Sequence, residues 1–111
     1  MEVYWKDNKT KELFESEQAL LNAGFDKKEA RKAVKAMSNI VSVDSINLLP
    51  QNLCCHPIKE GKKFLYFTVD VPSIGGGRGV HRIRFMPVGD EYDLSDLTTI
   101  TRVEILGIVK H

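Results

Sequence analysis

Apolar and polar side chains alternate one by one over residues 82–85, as Arg82, Ile83, Arg84 and Phe85. Strict alternation marks a half-buried strand, so residues 79–87 predict a strand with Ile83 and Phe85 on one face and Arg82 and Arg84 on the other. Residues 64–71 predict another, rich in aromatic and β-branched side chains. Leu65, Phe67, Val69 and Val71 share one face there, and Phe64, Tyr66, Thr68 and Asp70 share the other. Pro72 stops this strand, and residues 73–78 return the chain antiparallel. Residues 100–109 predict the last strand, and Val3, Tyr4 and Trp5 a short one at a sheet edge.

The helical period appears twice near the start. From Thr10 onward Leu13, Phe14, Leu20 and Leu21 fall on one broad face, predicting a helix that ends at Asn22-Ala23-Gly24, with Gly24 suited to the left-handed position. Asp26 and Glu29 then form an aspartate version of a capping box, with Phe25 and Ala30 placed as a hydrophobic staple. Ala30, Ala33, Val34, Met37, Ile40 and Val41 follow at helical spacing, with Arg31, Lys32 and Lys35 on solvated faces. Residues 42–53 predict a connection with one short helical turn, tucking Leu48, Leu49 and Leu53 under the sheet. The order is β-α-α-β-β-β. It predicts an α+β domain spanning residues 1–111, with an antiparallel sheet and an N-terminal helical hairpin packed on one face. The other face is left for function.

Composition narrows the class. The chain has 42% apolar and 28% charged residues, ordinary for a soluble globular domain. No apolar run approaches the roughly 20 residues of a membrane span. The start lacks a basic segment followed by an apolar one, so no signal peptide is expected. Cys54 and Cys55 are adjacent and poorly placed to bridge each other, which predicts reduced thiols in a cytoplasmic protein. Net charge is only +1, yet residues 46–89 carry six basic and two acidic side chains. That local excess favours an anionic partner.

The basic segment holds the candidate chemistry. Two arginines two residues apart on one strand project side by side, and a guanidinium grips phosphate or carboxylate with two hydrogen bonds. Two readings fit them: pairing with acids on neighbouring strands, or holding an anion. His56 and Lys59 lie just upstream, and Lys110 and His111 end the last strand. Together these are suited to a phosphodiester. No Cys/His spacing suits a metal, and no cofactor is expected. The glycines at 75–77 lack the helix and lysine of a phosphate-binding loop. The acidic stretch 89–99 lacks the glycine and closing glutamate of a calcium loop and predicts a solvated hairpin.

Taken in order, these segments resemble the RelE/ParE superfamily of type II toxin–antitoxin toxins, most of all its HigB-like branch. The resemblance runs from the helical hairpin through His56-Pro57-Ile58-Lys59-Glu60-Gly61 and Tyr66-Phe67-Thr68-Val69-Asp70. It continues through Arg82-Ile83-Arg84-Phe85 and Ile100-Thr101-Arg102-Val103-Glu104-Ile105-Leu106 to the terminal His111. It implies a metal-independent endoribonuclease that cuts mRNA on the ribosome and is neutralised by a cognate antitoxin. By the same resemblance His56 and His111 supply acid–base chemistry, and Lys59 and Arg82 stabilise the developing charge. Arg84 and Lys110 contact RNA. Two positions depart from the pattern: relatives end in D-Y-H where this chain has Val109-Lys110-His111, and Glu60 separates Lys59 from Gly61. Those departures favour an alternative, a non-catalytic relative that binds its antitoxin or another target such as gyrase. A free RNA-binding module is a third reading, and the net charge of +1 speaks against it.

Overall fold

The computed structural model describes residues 1–71 and 81–110. Five strands form one sheet in the order β1-β5-β4-β3-β2. They are β1 (Glu2–Trp5), β2 (His56–Glu60), β3 (Lys63–Val71), β4 (His81–Pro87) and β5 (Arg102–Lys110). The helices are α1 (Asn8–Leu13), α2 (Glu17–Asn22) and α3 (Lys27–Ser42). The architecture is α+β, as expected, with two corrections. The sheet is mixed, because β1 runs parallel to β5, Glu2 opposite Arg102 and Trp5 opposite Ile105. The segment holding His56 and Lys59 is itself a fifth strand, paired antiparallel with β3 at the sheet edge. Pro57 is tolerated there because an edge strand has no ladder partner on one side.

The first predicted helix is two. Asp7 caps α1 by accepting from the Thr10 N–H at 2.7 Å. Ser16 then caps α2, its Oγ accepting from the Ala19 N–H at 3.1 Å. A serine hydroxyl that satisfies an orphan N–H favours a fresh helix start over a helix interior. Phe14 and Leu20 are still buried, one from each side of the break. Gly24 takes the left-handed conformation after α2, with φ +104°.

The α3 signal is met in detail. Asp26 Oδ1 accepts from the Glu29 N–H at 2.7 Å, and Glu29 Oε1 accepts from the Asp26 N–H at 3.1 Å. The other oxygen, Glu29 Oε2, lies 2.9 Å from His81 Nδ1, and His81 packs against Phe25 with ring centroids 4.8 Å apart. One glutamate thus closes the capping box and ties the start of α3 to the start of β4. Ala30, Ala33, Ala36, Met37 and Ile40 are buried, while Val41 is exposed. Beyond α3 lie two short 3-10 turns, Ile46–Leu48 and Gln51–Leu53. Leu49 and Leu53 are buried beneath the sheet as expected; Leu48 is exposed and Ile46 takes the inner place.

The helices cover the sheet face built from Phe67, Val69, Val71, Ile83, Phe85, Val103 and Ile105. Phe67 and Phe85 sit opposite each other in the β3–β4 ladder, with ring centroids 5.8 Å apart. Two bulges interrupt the alternation. Between β2 and β3 the partner of Ile58 is Tyr66 but that of Lys59 is Phe64, so Leu65 is the extra residue. The bulge turns Phe64 onto the core face, against Phe67 at 5.1 Å, rather than onto the polar face with Tyr66. Between β4 and β5 the register jumps from Arg84–Gly107 to Phe85–Ile105, and Gly107 accommodates it at φ +148°. The predicted glycine-rich loop at 73–78 lies outside the described residues. None of the described helices is long and apolar enough to cross a membrane.

Gly89 gives a first test of the turn after β4. Its φ is +93°, and a Cβ there would meet Arg102 Nη2 at 2.7 Å. The guanidinium can swing aside, so the backbone conformation carries the main cost. Gly89→Ala should destabilise the domain by about 1–3 kcal/mol in urea unfolding; an unchanged midpoint would refute the strained turn.

Candidate functional site

The face away from the helices carries the side chains that alternate with the core. From β3 come Tyr66, Thr68 and Asp70; from β4 come Arg82 and Arg84. The ladder sets Asp70 opposite Arg82 and Thr68 opposite Arg84. The pairing reading of the arginines is met by Arg82. Arg82 Nε lies 3.2 Å from Asp70 Oδ1, with Asp70 fully buried and the Arg82 side chain 16% exposed. The charge of Arg82 is therefore matched from within the sheet. Arg84 lies diagonally over Tyr66, its Cζ 4.8 Å from the ring centroid, within cation–π range.

These side chains border a cavity of about 200 Å³, lined by Ile58, Tyr66, Thr68, Arg82, Arg84, Val109 and Lys110. Ile58 enters from β2, and Val109 and Lys110 from the end of β5. His56, half-buried, is not one of the cavity's lining residues but lies directly opposite Thr68, which is, in the β2–β3 ladder. Its Nδ1 is 2.7 Å from the Cys54 carbonyl oxygen. A carbonyl can only accept, so Nδ1 carries the hydrogen and Nε2 holds the free lone pair of the neutral ring. Cys54 makes this possible by taking a left-handed conformation, φ 49°, where the chain leaves the last 3-10 turn for β2.

The ladder pairs Lys110 with His81 on the helix side, so Lys110 meets the cavity only where β5 ends. Of the residues singled out from sequence, His56, Arg82 and Arg84 share this face. Lys59 does not. Alternation along β2 sends Lys59 to the other side, where with Pro57, Phe64, Phe67 and Leu94 it borders a second cavity of about 280 Å³. His111 lies outside the described residues. Sequence reasoning missed Tyr66 as a site residue. Its place on the polar side of β3 was legible, but its diagonal meeting with Arg84 needed the β3–β4 register. It also missed Asp70 as the partner of Arg82, for the same reason.

The cysteines beside His56 differ sharply. Cys54 is exposed, while burial pushes the Cys55 thiol up from 9.0 to about 12. A disulfide-exchange reagent at pH 8 should therefore titrate one thiol in the folded protein and both in denaturant. Two fast thiols would contradict the burial of Cys55. The folded state keeps the Cys55 proton that the unfolded chain releases. This contribution is complete below about pH 9 and is lost as pH rises toward 12, by roughly 1.4 kcal/mol per unit. The stability of Cys55→Ala should fall less steeply across that window.

Chemically, the face offers cations for an anion, an aromatic surface for a planar group, and a histidine nitrogen placed to take a proton. Among the described residues, no three His, Cys, Asp or Glu side chains cluster as a metal site. No protein-family model, no curated protein and no solved structure matches this chain.

Proposed function

We propose that this protein is the toxin of a type II toxin–antitoxin pair, a metal-independent endoribonuclease that cuts mRNA on the ribosome in the cytoplasm. The observation that carries the reading is the meeting of Arg84 and Tyr66 at one cavity, with His56 across the ladder from Thr68 in its wall. In this reaction the 2′-hydroxyl attacks the adjacent phosphorus. The O2′–P bond forms, the P–O5′ bond breaks, and the products are a 2′,3′-cyclic phosphate and a 5′-hydroxyl. His56 Nε2 takes the proton from the 2′-hydroxyl. Arg84 stabilises the charge that gathers on the phosphoryl oxygens. Arg82, held by Asp70, keeps the β3–β4 face in register beneath it. His111 returns a proton to the leaving oxygen, a role it takes from the family resemblance. The cognate antitoxin silences the toxin by covering this basic face.

The matched charge of Arg82 and the far-side position of Lys59 favour a second reading, a non-catalytic relative that binds only its antitoxin or a target such as gyrase. Purified protein on ribosomes programmed with a defined mRNA separates the two. Cleavage leaving a 2′,3′-cyclic phosphate, and insensitive to EDTA while ribosomal magnesium is maintained, is the expected result. Intact mRNA together with stable co-purification with the product of a neighbouring gene would leave the second reading.

A further inference from the structure

We propose that Tyr66, with Arg84 laid over it, is a stacking platform for one base of a single-stranded RNA. The inference deepens the RNA-cutting reading and rests on it for the identity of the ligand.

Size limits the occupant first. Whole-ligand clefts run to about 300–1,000 Å³. At about 200 Å³ this cavity takes one part of a nucleotide and leaves the rest of the strand outside. Its walls then say which part. A bare phosphate needs a cation and N–H donors, and the Arg84 guanidinium would suffice. Ile58, Val109 and the Tyr66 ring add apolar and aromatic surface that a phosphate does not use and a base does. The guanidinium of Arg84 already lies 4.8 Å from the Tyr66 centroid. Ring and guanidinium are both planar, so a base can stack on the guanidinium or replace it against the ring.

A second observation points to the same occupant. Thr68 Oγ1 is buried and has no hydrogen-bond partner among the described residues. Thr68 sits between His56 on β2 and Arg84 on β4 in the ladder. A buried hydroxyl without a partner is destabilising, and a base edge that enters as Arg84 lifts would satisfy it. Every base has a π-face, so the platform selects single-stranded RNA and discriminates weakly among bases.

The test uses a short oligoadenylate and inorganic phosphate as separate probes, read by NMR of labelled tyrosine rings. Tyr4 and Tyr92 lie outside the cavity and serve as internal references. Oligoadenylate should shift the Tyr66 ring signals and leave those of Tyr4 and Tyr92 in place, while phosphate alone leaves all three. Tyr66→Leu should weaken oligoadenylate binding by roughly 5–100-fold and raise KM on programmed ribosomes, whereas Tyr66→Phe stays within about twofold. The platform is overturned if a folded Tyr66→Leu binds oligoadenylate as tightly as wild type. It is equally overturned if phosphate alone reproduces the ring shifts, which would mean an anion site only. Oligoadenylate binding at Tyr66 by a protein that leaves ribosomal mRNA intact would support the platform and refute the cutting. Cutting that Tyr66→Leu leaves unchanged in both KM and kcat would refute the platform and keep the cutting.

Discussion

Truncating Asp70 to alanine is expected to cost about 3–5 kcal/mol of stability, because it leaves the Arg82 guanidinium buried against a lost partner. Asp70 is 1% exposed and lies directly across the ladder from Arg82, 3.2 Å away. For a domain of this size the loss corresponds to a fall in Tm of roughly 10–25 °C. The attraction within such a pair offsets a desolvation cost of similar size, so removing both charges should do less harm than removing one. The double variant Asp70→Leu/Arg82→Met should therefore recover much of the stability lost in Asp70→Ala. Urea unfolding of both variants and wild type is the measurement. A loss below about 1 kcal/mol in Asp70→Ala would place the pair among solvent-screened surface ion pairs instead. For function, any activity lost in Arg82→Ala must be separated from unfolding, whereas Arg84 gives a cleaner reading of charge.

Replacing His56 with alanine should slow cleavage on programmed ribosomes by about 10²–10⁴-fold, the usual contribution of a general acid–base group. The expectation rests on the Cys54 carbonyl, which fixes Nδ1 as the donor and leaves Nε2 to take a proton. Arg84→Ala should cost on the order of 10²-fold through lost stabilisation of the phosphoryl charge. Arg84→Lys should recover part of it, keeping the charge without the planar fork. Lys59→Ala should cost less than Arg84→Ala, since Lys59 lies across the sheet from the cavity. Arg102→Ala, at Gly89 and outside the cavity, is the control. Growth arrest and single-turnover cleavage should agree, with circular dichroism confirming that each variant folds. If wild type, His56→Ala and Arg84→Ala all arrest growth equally, the catalytic assignment fails.

Local chemistry in the sequence was enough for several elements. The capping box at Asp26 and Glu29, the left-handed Gly24 and the buried stripe of α3 each depend on residues within one or two helical turns. Alternation placed Ile83 and Phe85 inside and Arg82 and Arg84 outside, because side-chain direction in an uninterrupted strand is fixed by parity. The α1–α2 break was also written locally, in Ser16, but the apolar period running across it gave the stronger signal.

Where strands meet was decided by the tertiary structure. Parity tells which side a residue faces within its own strand and says nothing of its partner on the next. The Asp70–Arg82 pair and the Arg84–Tyr66 contact both follow from the β3–β4 register. Phe64 shows the effect most plainly: parity along β3 sets it with Tyr66, but the extra residue at Leu65 brings it to the core side, opposite Lys59. A bulge changes parity by one residue and has no strong local sequence signal here. The parallel pairing of β1 with β5 likewise depends on residues about 100 positions apart, joined only when the helices pack and the sheet closes over them.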